Sequence, residues 1–209
     1  MIQAIFFDLD GTLIDSERAF LRGDSVAAHA MGQPLPPAHF LPLLGASMQS
    51  EHDFLTALVG PAVEQYKDQV RAYVDAWFRT APAIALPGVS KTLATLAQTY
   101  RLGVVTSSRL PHLQLALQQA GWTETFTWLF PYVDGPAKPD PAPYLQALAQ
   151  AQLPADAVVA VEDTPLGVAA AQAAGLRAVQ VVDLAQPAPA ADARLNDFQA
   201  LPAWLAANA

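Results

Sequence analysis

Four short apolar runs stand out along the chain, and three of them end in a polar or acidic residue. They cover residues 2–8 (IQAIFFD), 102–106 (LGVVT), 157–162 (AVVAVE) and 177–182 (RAVQVV). A run of strand length that is apolar throughout, with no alternation, reads as a strand buried on both faces, as in a parallel sheet. Between the runs, Ala- and Leu-rich stretches predict helices at 89–100, 111–120, 142–151 and 165–174. Gly121 and Gly175 follow two of these, where a helix C-cap favours glycine. The alternation of strand and helix predicts an α/β fold: a Rossmann-like parallel sheet flanked by helices.

Residues 16–85 break this rhythm. They contain no strand pattern but several helical ones, such as 62–79. Pro34, Pro36, Pro37 and Pro42 punctuate the stretch, and Pro82 and Pro87 close it. The expectation is an inserted all-helical cap domain of residues 16–85, over a core domain formed by 1–15 and 86–209. An insert at a strand's carboxyl end lies over the edge where open parallel sheets bind ligands. Near the carboxyl terminus, Pro187 and Pro189 predict a loop, followed by a helix near 197–206 with Phe198, Leu201, Trp204 and Leu205 on one face.

Composition narrows the function. The 209 residues are 53% hydrophobic and 14% charged, enough apolar material for a packed core. A formal net charge of −8 disfavours nucleic acid and anionic lipid as partners. An anionic substrate then needs a local positive site. With no cysteine, disulfides, thiolate catalysis and Cys-ligated metals are excluded. The start MIQAIFFDLDGTLID is unlike a signal peptide, and no apolar run reaches membrane-spanning length. A cytoplasmic monomer is expected. Neither GxGxxG nor GxxxxGK[ST] occurs. His29, His39, His52 and His112 show no paired ligand spacing and read as surface or helix-packing residues. Trp77, Trp122, Trp128 and Trp204 read as core.

Four places at the carboxyl ends of the expected strands carry candidate chemistry. Asp8-Leu9-Asp10-Gly11-Thr12 puts two carboxylates close together at the end of a buried strand. Such a pair repels unless a cation held by oxygen ligands neutralises it. Thr106-Ser107-Ser108 offers hydroxyls and backbone N–H groups to an anion, or an N-cap to the helix that follows. Lys138, one of eleven basic residues, sits in the proline-rich loop GPAKPDP. Prolines lower the entropy cost of holding its ammonium in place, although a solvated loop lysine reads equally well. Glu162-Asp163-Thr164 is a second acid pair at a buried strand's end; Asp163 serves there as a metal ligand or as the N-cap before Pro165. Together the four supply a nucleophile, an acid/base, an anion cradle and a cation site.

In this order the elements resemble the motifs of the haloacid dehalogenase-like hydrolases. FFDLDGTLIDSE is similar to motif one, VVTSS to motif two, AKPDPAPY to motif three and VEDTPLGVAAAQAAG to motif four. The resemblance covers the whole chain, and the helical insert is similar to the cap of the β-phosphoglucomutase and phosphoglycolate phosphatase branch. It implies Asp8 as the nucleophile that forms an aspartyl-phosphate and Asp10 as the acid/base. It also implies Mg²⁺ held by Asp8, the backbone carbonyl of Asp10, and Asp163, with Glu162 bound directly or through water. Thr106 and Ser107 would bind phosphoryl oxygens and Lys138 would neutralise charge. Gly45 and Ser47 mark a candidate substrate-specificity loop, and Arg109 is a substrate contact or a surface arginine. The family's dehalogenases use the first carboxylate on carbon, but a second acid at Asp10 favours phosphomonoester hydrolysis. The partner implied is a small phosphorylated metabolite, a sugar phosphate or phosphoglycolate-like compound. β-Phosphoglucomutases carry His and Arg where this chain has Phe20 and Met48, so the alternative of a phosphomutase is disfavoured. A phosphorylatable module without turnover is the remaining alternative, set against by Asp10.

Overall fold

The computed structural model describes residues 1–81 and 84–208. Pro82, part of the expected closure of the insert, lies outside the described residues. Six parallel strands form one sheet in the order β3-β2-β1-β4-β5-β6. They are β1 (Ala4–Phe7), β2 (Arg101–Val105), β3 (Trp128–Phe130), β4 (Val158–Glu162), β5 (Arg177–Val181) and β6 (Ala193–Leu195). β1 lies between β2 and β4, where the direction of strand addition reverses. The crevice beyond the carboxyl ends of such strands is where a doubly wound sheet binds its ligand.

β1 shows why a continuous apolar run was required. Its side chains alternate between two separate cores. Ile5 and Phe7 join Val104, Val159, α4 (Val89–Leu96), α5 (Leu110–Ala120) and α8 (Leu201–Asn208) on one face. Ala4 and Phe6 join Val105, Ala160, α6 (Ala142–Ala151) and α7 (Pro165–Ala173) on the other. Phe6 meets Trp128 and Phe130 edge-on, and Gly103 of β2 makes room for it. A Cβ at Gly103 would lie 2.9 Å from the Phe6 ring.

Two strands escaped the sequence pattern. β3 and β6 have three residues each and lie at the sheet edges, half exposed, too short to register as apolar runs. The helix expected over 89–100 ends at Leu96, and the turn after it is tied by Thr99 and Tyr100 donating to the Leu96 carbonyl. Phe198, Leu201 and Leu205 are buried as the tail pattern required, while Trp204 is partly buried against the same core.

Between β1 and β2 the chain builds the helical insert: α1 (Ser16–Ala30), a 3₁₀ segment (Pro37–Leu43), α2 (Met48–Val59) and α3 (Val63–Thr80). Gly23 lets α1 approach Val70 and Tyr73 of α3. Phe40, Leu55, Tyr66 and Phe78 are buried within the insert. Each such side chain contributes about 1.5–3 kcal/mol by leaving water. Arg18 of α1 reaches across to the sheet domain, bonding Asp183 beyond β5 at 2.7 and 3.0 Å and Asp15 at 2.8 Å. Among the described residues no helix is long and apolar enough to cross a membrane.

Candidate active site

β1 ends at Phe7, and the next residues form a tight turn in which Leu13 and Ile14 both donate to the Leu9 carbonyl. Gly11 is required twice over. Its φ of +77° suits glycine, and a Cβ there would lie 2.3 Å from Asp163 Oδ2. That absence of side chain brings motif one and motif four together.

Lys138 is the cation the acidic field needs. Its Nζ lies 2.6 Å from Asp8 Oδ1, 2.6 Å from Glu162 Oε1 and 2.9 Å from the Val105 carbonyl. The side chain is only 8% exposed. Although burial works against its charge, Asp8 and Glu162 hold the ammonium above its usual range. Glu162 also accepts from the Tyr144 hydroxyl, and its Oε2 packs where a Cβ on Gly167 would stand. Those three constraints pin the Glu162 carboxylate.

Carboxylate oxygens of Asp8, Glu162 and Asp163 lie within 4.8 Å of one another, and all three residues are buried. Burial, together with repulsion from Glu162 and Asp10 and against the pull of Lys138, pushes Asp8 up to about 8. Burial and the charges of Asp8, Glu17 and Glu162 also hold Asp163 well above the usual carboxylate range. Three buried carboxylates facing one ammonium are under-compensated, and a hard divalent cation suits this all-oxygen donor set. The residues fit the Mg²⁺ that the motifs imply.

Asp10 lies across the same cavity. Ser16 Oγ donates to its Oδ1 and Ser108 Oγ to its Oδ2, each at 2.6 Å. His112 faces Oδ1 at 3.6 Å. Burial raises Asp10, but His112, Ser108 and Ser16 outweigh it and leave the group below its usual value. The side chain is not one of the three clustered carboxylates, so among the expected metal ligands Asp10 contributes no side-chain oxygen to that group.

The cavity has a volume of about 170 Å³ and is lined by Asp8, Asp10, Thr106, Ser107, Lys138, Glu162 and Asp163, with Gly45 and Ala46 of the insert opposite. Gly45 (φ +67°) stands so close that a Cβ would meet Thr164 at 3.0 Å. Thr106 accepts from the Ser108 N–H at 2.9 Å, which shapes this loop, while α5 begins after Arg109 without a side-chain cap. Thr164, not Asp163, caps α7 by accepting from Gly167 N at 3.2 Å. Asp163 is thereby left to the cavity.

Two expected substrate contacts are not brought together with the others. Ser47 caps α2, accepting from Ser50 N, and does not line the cavity. Arg109 bonds the exposed Asp134 at 3.0 Å and lies over Tyr132, so it is a surface arginine. Four residues were missed: Ser16, Glu17, Ser108 and His112. Ser16 and Glu17 close the stretch quoted as motif one and open α1, and Ser108 is the third hydroxyl of motif two. The available signal for these three was their place in the motifs; which way α1 and α5 leave the sheet decides the rest. His112, expected on a surface or packing against a helix, packs on Phe78 and also faces Asp10. Burial and the charges of Asp10 and Asp8 push Glu17 up to about 8.

Glu17 also borders a second cavity of about 340 Å³ inside the insert, lined by Phe20, Leu21, Leu44, Leu55 and Tyr66 among others. Its basic residues are already engaged: Lys67 pairs with Glu51 at 3.0 Å and Arg71 with Asp68. Phe20 therefore presents an apolar wall; the side chain of Met48 lies outside the described part of the structure.

Residues 5–181 match the model of a family described as haloacid dehalogenase-like hydrolase. The chain is 30% identical to a probable phosphatase, IndB, of Dickeya dadantii over 85% of this chain and 80% of that one. It is 29% identical to hexitol phosphatase B of Escherichia coli, over 91% and 86%. Its fold is similar to that of CbbY from Rhodobacter sphaeroides, solved in complex with phosphate, with a TM-score of 0.77, 25% identity and 96% of both chains covered.

Proposed function

The chain belongs to the haloacid dehalogenase-like hydrolases, and from that premise we propose a Mg²⁺-dependent phosphatase that hydrolyses a small phosphorylated metabolite through an aspartyl-phosphate on Asp8. The observation that carries this reading is the arrangement of Asp8, Asp10, Thr106, Ser107, Lys138 and Asp163 around one cavity. Lys138 engages one oxygen of Asp8, which leaves the other to attack phosphorus. As that P–O bond forms, the bond to the leaving oxygen breaks, and Asp10, which must first take up a proton because its neighbours favour its charged form, delivers that proton there. Asp10 then takes a proton from the water that attacks the phosphoryl group, releasing phosphate and free Asp8. Lys138, with the Thr106 hydroxyl and the Ser107 N–H, stabilises charge on the transferring oxygens. Mg²⁺, held by Asp8 and Asp163 with Glu162 beside them, would supply further neutralisation of phosphoryl charge and of the acids themselves.

The organic part of the substrate is read as lying against the insert, which acts as a cap of residues 16–85, with the second cavity to receive it. Hexitol phosphatase B supports a sugar phosphate as the class. A bisphosphate-dependent mutase is not supported. Phe20 is apolar, and the two cations that line the second cavity, Lys67 and Arg71, pair with Glu51 and Asp68, which disfavours a grip on a second phosphate there. A module that is phosphorylated without turnover is opposed by Asp10, held in place by two hydroxyls.

The test is phosphate release from p-nitrophenyl phosphate and a panel of sugar phosphates. Multiple turnovers are expected with Mg²⁺, falling at least about 100-fold with EDTA, as expected when a Lewis acid is withdrawn. A thermal melt gives a separate readout. Saturation at 100 times Kd corresponds to about 2.7 kcal/mol of stabilisation. Stoichiometric release followed by arrest, or Mg²⁺-independent rates and melting, would overturn the proposal.

A further inference from the structure

His112 occupies the first turn of α5, four residues beyond Ser108. Its Nε2 lies 3.6 Å from Asp10 Oδ1, outside hydrogen-bond reach. Among the described residues it is the one fully buried side-chain nitrogen or oxygen without a partner. Buried polar atoms are almost always paired, because leaving one unpaired costs about 1–3 kcal/mol. The ring is packed on one side. Phe78, buried near the end of α3, meets it edge-on with centroids 4.0 Å apart and an interplanar angle of 74°.

The other two partners of Asp10 are of a different kind. Ser16 and Ser108 carry hydroxyls, which rotate and can donate or accept. They therefore suit Asp10 with or without its proton. An imidazole N–H can only donate, so its attraction to Asp10 grows when the carboxyl gives its proton away. A contact that strengthens during proton transfer lowers the barrier; one equally strong before and after does not.

We propose that His112 is a positioning residue for Asp10: its Nε2–H closes on Oδ1 as the proton passes to the leaving oxygen, and Phe78 of the insert sets the ring for that movement. No covalent bond to His112 forms. The proton travels from Asp10 to the ester oxygen and the histidine keeps its own. Through Phe78, the placement of the insert also governs the acid. The inference rests on Asp10 being the acid/base.

Phenyl phosphates with ring substituents of graded electron withdrawal test it, because they share a shape and differ in need for a proton. The quantity is kcat/KM, which covers steps up to phosphoryl transfer. Full loss of a general acid costs about 100- to 10,000-fold. His112→Ala is expected to lose about 10-fold or more with phenyl phosphate and no more than about 3-fold with p-nitrophenyl phosphate, a partial share of that range. His112→Gln, which restores an N–H donor, is expected to recover most of the loss, and Phe78→Ala to show the same slope in smaller measure. If His112→Ala does not fold, His112→Met against His112→Gln makes the same comparison. Uniform loss across the series, or none, would overturn the role of His112. Asp10→Asn run beside them separates the two readings: if its own losses do not depend on the leaving group, it is the acid/base assignment of Asp10 that fails.

Discussion

Asp8→Asn should abolish turnover and leave the fold in place. Asparagine has nearly the shape of aspartate and keeps an oxygen to accept from Lys138, which lies 2.6 Å from Asp8 Oδ1. What it lacks is a charged oxygen able to form a bond to phosphorus. Removing the nucleophile of a covalent mechanism costs on the order of 10⁴- to 10⁶-fold, so only background hydrolysis should remain. Stability should move little or rise when no cation is added. Asp8 is one of three buried carboxylates crowded within 4.8 Å, and neutralising one relieves repulsion. Stabilisation by Mg²⁺ should shrink for the same reason. Steady-state kinetics with thermal melts, with and without Mg²⁺, check all three. Near-normal turnover in a folded variant would remove Asp8 from the reaction.

Lys138→Met should damage both stability and activity. The lysine is almost fully buried between Asp8 and Glu162, with a third bond to the Val105 carbonyl. Methionine fills a similar volume but leaves two buried carboxylates without their cation. Breaking a buried pair by removing one partner costs about 3–5 kcal/mol, and urea denaturation without Mg²⁺ should show it. Excess Mg²⁺ should restore part of the loss, since it neutralises the same acids. It should not restore kcat, because the ammonium also faces the transferring phosphoryl group; a loss of at least about 100-fold is expected. A change below about 0.5 kcal/mol, with kcat intact, would mean the lysine behaves as a surface pair.

How much of this was legible in the chain follows from burial. β1, β2, β4 and β5 touch helices on both faces, so they are mostly apolar, and they read as runs. β3 and β6 are short edge strands with half-exposed side chains and carry no such mark. The helical character of the insert showed in its spacing and in the lack of strand pattern. At the site, Asp8, Asp10, Glu162 and Asp163 were conspicuous because acids directly follow or end apolar runs. Lys138 was conspicuous because cations are scarce. Ser47 and Arg109 stay outside the cavity lining for local reasons: a helix start engages one and an exposed aspartate the other. Ser16, Ser108 and His112 reach Asp10 only because α1 and α5 leave the sheet at particular angles. That is tertiary information, and no spacing along the chain records it.

The most direct measurement is to trap the covalent intermediate. Acid quench during turnover, followed by borohydride reduction, converts an acyl phosphate on aspartate to homoserine, and peptide mass spectrometry then locates it. Homoserine at position 8, absent without substrate, is the expected result. Modification at Asp10 or Asp163 instead, or phosphate retained on Thr106 or Ser107, would contradict the account.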